Sequence, residues 1–131
     1  MPHVTEIRVL YADTDQMGVV NNVHYLRYFE AGRAEFIRAR GRSYKEIEAS
    51  GFRLPVVEAN LRYKEPARYD DLLRIDVTVE DVRAASVKFG YAIRRASDGA
   101  LLCEGWTTHA CLGADNKLRR FPDDLLKLLR P

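Results

Sequence analysis

Two carboxylates, Asp13 and Asp15, stand either side of Thr14 in "YADTDQMGVVNN", just ahead of a segment with helical spacing. A carboxylate beside the start of a helix is a compact apparatus for acyl transfer to water. The first helical turn presents unpaired N–H groups and a partial positive charge. A carbonyl pointing there is polarised as in an oxyanion hole. A neighbouring aspartate can then attack the carbonyl carbon, or activate a water to do so. Gly18 lets the intervening loop bend back towards the helix start. On spacing alone, D-x-D more often marks a loop that caps a helix or closes an Asx-turn.

Other chemistries find no support in the chain. It contains no G-x-S-x-G elbow, phosphate-binding glycine loop, G-x-G-x-x-G turn or H-E-x-x-H helix. His3, His24 and His109 are scattered, so no metal is expected. Cys103 and Cys111 are eight residues apart on one predicted strand and too distant for a disulfide; they read as buried structural thiols. Glu30 is one turn from both Arg27 and Arg33 and suits an ion pair as well as a chemical role. Tyr25 reads as core or pocket wall, and Asn21 as a helix cap. Glu58, among apolar neighbours, could line a pocket or sit on the solvent side of its strand.

The elements that must position these residues can be read from periodicity. Val4 to Tyr11 is strand-like, and a helix is predicted from about Val23 to Ala39, with Leu26, Phe29, Arg33 and Ile37 near helical spacing. Ala31 and Ala34 are small enough for close packing, and Gly41 is a plausible terminator. "SYKE" at Ser43 to Glu46 is a capping box opening a short helix that ends near Gly51. Period-two alternation follows. Val57, Ala59, Leu61 and Tyr63 share one face, as do Leu73, Ile75, Val77 and Val79, and again Val87, Phe89, Tyr91 and Ile93. Asp98-Gly99 signals a hairpin into "ALLCEGWTTHACL", apolar on both faces as in a central strand. "PDDLLKLL" reads as a short final helix with Pro122 near its first turn. A long helix followed by successive antiparallel strands is an α+β pattern, with a curved sheet wrapped around the helix.

Length and composition set the outer limits. The chain has 131 residues, enough for one domain over 1–131, and 47% apolar and 31% charged residues are ordinary for a globular protein. No apolar run approaches the ~18 residues needed to cross a bilayer, and no secretory signal is visible, so a cytoplasmic location is expected. The net charge of +2 favours no class of partner. Arg27, Arg33, Arg38, Arg40 and Arg42 crowd the first helix and its exit, forming either a solvated face or a basic rim for substrate phosphates. The absence of a basic run or zinc-ligand spacing argues against nucleic acid.

The stretch "YADTDQMGVVNNVHYLRYFEAGRAEF" resembles the 4-hydroxybenzoyl-CoA thioesterase-like family, the hotdog-fold acyl-CoA thioesterases, near the Tol-Pal-associated subgroup. Tyr11, Asp13, Thr14, Asp15, Gly18, Val19, Val20, Tyr25, Glu30 and Arg33 fill the family pattern. Downstream, "YKEPARYDDLLRIDV" resembles its second segment through Tyr63, Pro66, Ala67, Asp70 and Asp71. The likeness spans nearly the whole chain.

The resemblance implies hydrolysis of acyl-CoA thioesters without a cofactor, coenzyme A being part of the substrate. Asp15 matches the catalytic aspartate, Gly18 the loop glycine, and Asn22 the position whose backbone N–H polarises the thioester carbonyl. Many relatives of the subgroup carry histidine at that position. Asparagine keeps the N–H but offers no imidazole, and His24, two residues on, is a poor substitute. Glu30, Tyr25 and Asp13 form a second tier, while Val19, Val20, Asn21, Glu58 and Tyr63 are substrate-binding candidates. A homodimer or homotetramer is implied, with each site at a subunit seam. Acyl-carrier thioesters are a further possible substrate, and coenzyme A phosphates would rest on Arg83, Lys88, Arg94, Arg95, Arg119 or Arg120. The alternative is a non-catalytic acyl-CoA or acyl-carrier binding module on the same fold; a hydratase ranks below it.

Overall fold

The protein is described by a computed structural model covering residues 3–131. Five strands form one antiparallel sheet: β1 (His3–Arg8), β3 (Val56–Tyr63), β4 (Leu72–Val82), β5 (Ser86–Arg95) and β6 (Leu101–Ala110), in the order β1-β4-β5-β6-β3. Two short strands, β2 (Phe52–Arg53) and β7 (Leu112–Gly113), pair separately. The helices are α1 (His24–Ala39), α2 (Tyr44–Ala49) and α3 (Asp123–Leu129). This is the expected α+β arrangement, with the long α1 packed against the sheet.

The alternation read from the sequence is the alternation that folds. Leu73, Ile75, Val77, Val87, Phe89 and Ile93 are all essentially inaccessible to solvent, and they meet Tyr28, Phe29, Phe36 and Ile37 of α1. Gly32 brings helix and sheet together: a Cβ there would lie 2.7 Å from Ile75 Cγ2 and 2.9 Å from Val77 Cγ2. The close packing expected of Ala31 and Ala34 is thus done by Gly32, and both alanines remain half-buried. Leu26, expected on the buried stripe, is exposed; the stripe runs through Tyr25, Tyr28, Phe29, Gly32, Phe36 and Ile37 instead.

Ser43 accepts the Glu46 N–H and Glu46 reaches back to the Ser43 N–H, so the capping box forms as read. Pro122 is the N-cap of α3, and β1 stops at Arg8 because a single 3-10 turn at Tyr11–Asp13 takes over. Cys103 and Cys111 are buried free thiols, both with pKa raised by burial, that of Cys103 to about 12. β6 lies inside the sheet between β5 and β3, while β5 is the middle strand.

A further expectation fails at the sheet edge. The apolar face of β3 was expected to be covered, yet Val57 is 61% and Tyr63 48% exposed. β3 is an edge strand with only β6 beside it, and a bulge between Val56 and Glu58 interrupts its alternation. α1 meets this edge through Tyr25, whose ring contacts Tyr63, but leaves most of the strand uncovered.

Candidate active site

The loop between β1 and α1 is built by backbone bonds before any side chain acts. Asp15 N–H donates to Val19 O at 2.9 Å and Gly18 N–H to Asp15 O at 3.0 Å, closing a tight turn. Gly18 sits at φ +78°, the left-handed region that other residues enter at a cost of roughly 1–2 kcal/mol. Thr14 and Val20 bridge across the turn, and Val19 bridges to Arg68. Val20 N–H then donates to Ala67 O at 2.8 Å, and Ala67 N–H to the Tyr25 hydroxyl at 3.2 Å. The segment before β4 therefore serves as the floor beneath the loop. Arg95 ties that floor down by donating to Asp71 and to Pro66 O.

The two aspartates part company here. Asp13 is 4% exposed. It accepts the Tyr28 hydroxyl at 2.8 Å, the Leu10 N–H at 3.1 Å and the Arg27 guanidinium at 2.5 Å. Burial acts to raise its pKa, but the bonds from Tyr28 and Leu10 and the charge of Arg27 outweigh it and hold the carboxyl below the usual range. All its strong acceptor capacity is spent within the fold. Asp15 is half-buried, and a single hydrogen bond holds its side chain, from Met17 N–H to Oδ1 at 2.9 Å. Its Oδ2 has no partner among the described residues.

Asn22 lies at the helix entrance. Asn21 caps the turn, its Oδ1 accepting the Val23 N–H at 3.1 Å, and its carbonyl accepts the His24 N–H. The Asn22 N–H itself has no acceptor among the described residues. Val19, Val20, Asn22, Tyr25 and Tyr63 surround a hollow of about 200 Å³, completed by residues 64–66. The Tyr63 hydroxyl reaches the Asn22 carbonyl at 3.5 Å, and the Tyr63 and Tyr25 rings meet edge to face.

The remaining sequence candidates lie elsewhere. Glu58 is on the opposite face of the sheet, beside Glu80, Lys88, Trp106 and Thr108. Glu30 borders a separate cavity of about 460 Å³ further along α1, which also reaches Arg27, Arg33 and His109. His24 Nδ1 lies 3.9 Å from the Asp13 carboxylate, not beside Asp15. Tyr28, Ala67 and Arg95 support the loop, although sequence reading gave Tyr28 no role, took Ala67 only as part of the second family segment and offered Arg95 as a phosphate contact. A tyrosine one turn beyond Tyr25 was the visible signal for the first of them.

Among the described residues no three His, Cys, Asp or Glu side chains gather as metal ligands, and no helix is long and apolar enough to cross a membrane. The profile of the thioesterase-like superfamily matches residues 9–129. The chain belongs to the thioesterase-like superfamily. Its fold is the superfamily's hotdog fold, an antiparallel sheet around a long helix. It is 32% identical to the acyl-CoA thioester hydrolase YbgC of Escherichia coli O157:H7 over 81% of this chain and 78% of that one. Among solved structures it is similar to a DHNA-CoA thioesterase from Staphylococcus aureus, with a TM-score of 0.92 and 30% identity, covering 97% of this chain and 87% of that one. A hypothetical protein from Thermus thermophilus is 37% identical, with a TM-score of 0.92 over 96% of this chain and 95% of its own. The two aspartates of this chain's D-T-D loop occupy different environments.

Proposed function

We propose that the chain is an acyl-CoA thioesterase in which Asp15 supplies the reacting carboxylate and the Asn22 N–H polarises the thioester carbonyl. The observation that carries this reading is the division of labour in the loop. Asp13 is consumed by three internal hydrogen bonds, whereas Asp15, two residues on in the same loop, keeps an oxygen without a partner, and the Asn22 N–H at the helix entrance is likewise without an acceptor among the described residues. The thioester carbonyl enters the hollow at Asn22, where the N–H and the positive end of α1 stabilise the charge that develops on its oxygen. Asp15 attacks the carbonyl carbon or takes a proton from an attacking water. The tetrahedral intermediate then collapses and expels the coenzyme A thiolate. Where water attacked, this releases the free acid; where Asp15 attacked, it leaves a mixed anhydride that a water then hydrolyses to the free acid and the regenerated carboxylate. Asparagine at position 22 is compatible with this scheme because the backbone does the work.

The substrate is an acyl thioester of coenzyme A, with acyl-carrier thioesters as a second form of the same group. The catalytic assembly is a homodimer, or a tetramer built from it, joined along β3. That strand leaves a backbone edge unpaired and apolar side chains uncovered. Steady-state thiol release by Asp15→Asn tests the reading. Loss of an essential catalytic carboxylate costs at least ~100-fold, and near-normal turnover would reject the assignment. Complete inactivity of the wild-type protein on every acyl-CoA and acyl-carrier thioester would favour the non-catalytic binding module.

A further inference from the structure

The cavity of about 460 Å³ beside α1 contains neither Asp15 nor Asn22, and of its polar groups the hydrolysis reading uses only Arg27, through its bond to Asp13. Its walls are mostly apolar, including Ala34, Ile37, Leu54 and Phe89, yet Arg27, Glu30, Arg33 and His109 also border it. The arginines around α1 otherwise have firm partners. Arg27 binds Asp13, Arg38 binds Glu35, Arg42 binds Asp124, and Arg40 caps the carbonyls of Leu128 and Arg130. Arg33 is the exception. Its side chain is only 16% exposed, and its carboxylate neighbour, Glu30, is 3.9 Å away and 71% exposed. At that distance and exposure Glu30 makes no hydrogen bond and little of its charge is felt.

A buried polar chain fixes which way Arg33 is used. His109 Nδ1 lies 2.9 Å from the Leu54 carbonyl, which can only accept, so Nδ1 carries the proton. Burial lowers the imidazole pKa to about 4, so the ring is neutral and Nε2 accepts. Thr107 therefore donates to Nε2 at 2.8 Å, and the Tyr91 hydroxyl donates to Thr107 Oγ1 at 2.6 Å. The Tyr91 oxygen is left as an acceptor, with one Arg33 N–H 3.4 Å from it. Every donor in the chain is thus committed, and the other guanidinium N–H groups have no hydrogen-bond acceptor among the described residues.

We infer that Arg33 selects acyl groups carrying a carboxylate at the end remote from the thioester, held in the cavity beside α1. A cation in an apolar wall, with several unused donors in a planar fork, matches a carboxylate in charge and geometry. The aliphatic part of such an acyl group would lie against Ile37, Leu54 and Phe89. Arg33 is thus a specificity residue, remote from the reacting atoms. This inference rests on the acyl-CoA reading but can fail separately from it.

The test compares matched pairs that differ only in the terminal carboxylate: adipoyl-CoA with hexanoyl-CoA, and suberoyl-CoA with octanoyl-CoA. Binding is measured by calorimetry on the full chain carrying Asp15→Asn, and hydrolysis on the wild type. A charge-assisted bond of this kind is expected to favour the carboxylated member about tenfold or more. That preference should collapse towards unity in Arg33→Gln and be partly kept in Arg33→Lys. Equal binding of both members, or a preference unchanged in Arg33→Gln, overturns the inference even if all four thioesters are hydrolysed. A carboxylate preference in binding with no hydrolysis of any pair would instead uphold this inference while counting against the hydrolase.

Discussion

The Tyr28 hydroxyl donates to Asp13 Oδ2 at 2.8 Å inside the core, so the first carboxylate of the loop is fastened to the second turn of α1. The loop holding Asp15 is therefore anchored to the helix whose entrance it faces. Tyr28→Phe removes the donor while the carboxylate stays buried. Leaving a buried acceptor short of a partner costs about 1–3 kcal/mol. Urea unfolding should show that loss as a lower midpoint at unchanged slope, and an unaltered midpoint would mean the bond contributes nothing to the anchor. The sign with pH also follows. Asp13 titrates below its ordinary value when folded, so its stabilisation is present above about pH 4 and disappears as pH falls through the folded pKa. Asp13→Asn should be less stable at neutral pH and show a shallower decline in acid.

Gly32 sets a different kind of prediction, because two effects oppose each other there. Alanine improves helix propensity by up to ~1 kcal/mol in an exposed helix interior. Here its Cβ would stand 2.7 Å from Ile75 Cγ2 and 2.9 Å from Val77 Cγ2, both on β4 in the core. Overpacking of this sort typically costs about 1–3 kcal/mol, so Gly32→Ala is expected to be destabilising on balance. Thermal denaturation decides it. A raised melting temperature would mean that helix and sheet separate at little cost.

His109 gives a pH signature of opposite origin. Burial lowers its pKa to about 4 in the folded chain, against 6.5 for the unperturbed group. Between those values the unfolded chain binds a proton that the folded chain refuses, so stability rises with pH across that window. The full difference is on the order of 3 kcal/mol, lost progressively as pH falls from about 6.5 to about 4. His109→Gln should be less stable at pH 7 but lack this slope. Denaturant midpoints at pH 7, 6, 5 and 4.5 for both proteins would show whether the slope belongs to His109.

Much of the scaffold was legible because its signals are local. The alternation of Leu73, Ile75, Val77 and Val79, the Ser43–Glu46 capping box and the Asp98-Gly99 hairpin each announce an element within a few residues. The site was legible only in outline. Asp13 and Asp15 are the same residue type two positions apart, and what distinguishes them is the hydroxyl of Tyr28 and the guanidinium of Arg27, both delivered by α1, together with the Leu10 N–H. The floor under the loop depends on Ala67 meeting Val20 and Tyr25 across more than forty residues, which no periodicity records. The exposure of β3 escaped for a related reason. Its apolar alternation is the pattern of a covered strand, and nothing in a pattern says that α1 is too narrow to cover the whole edge.

That uncovered edge carries the last prediction. Ala59 is exposed but pairs with Thr107, which is buried on the helix side of β6, so it lies at the rim of the core where a second copy would pack. If two β3 strands join, Ala59→Arg sets like charges near each other at a dry seam and forces desolvation of both guanidinium groups. The wild type is expected to sediment as a dimer or tetramer and the variant as a monomer with its helical signal intact. Because the hollow at Asn22 is bounded by Tyr63 of the same strand, turnover should fall together with assembly. A variant that still dimerises would place the seam elsewhere. A monomeric variant with full activity would show that each chain completes its own site, and the role proposed for the second copy would fall.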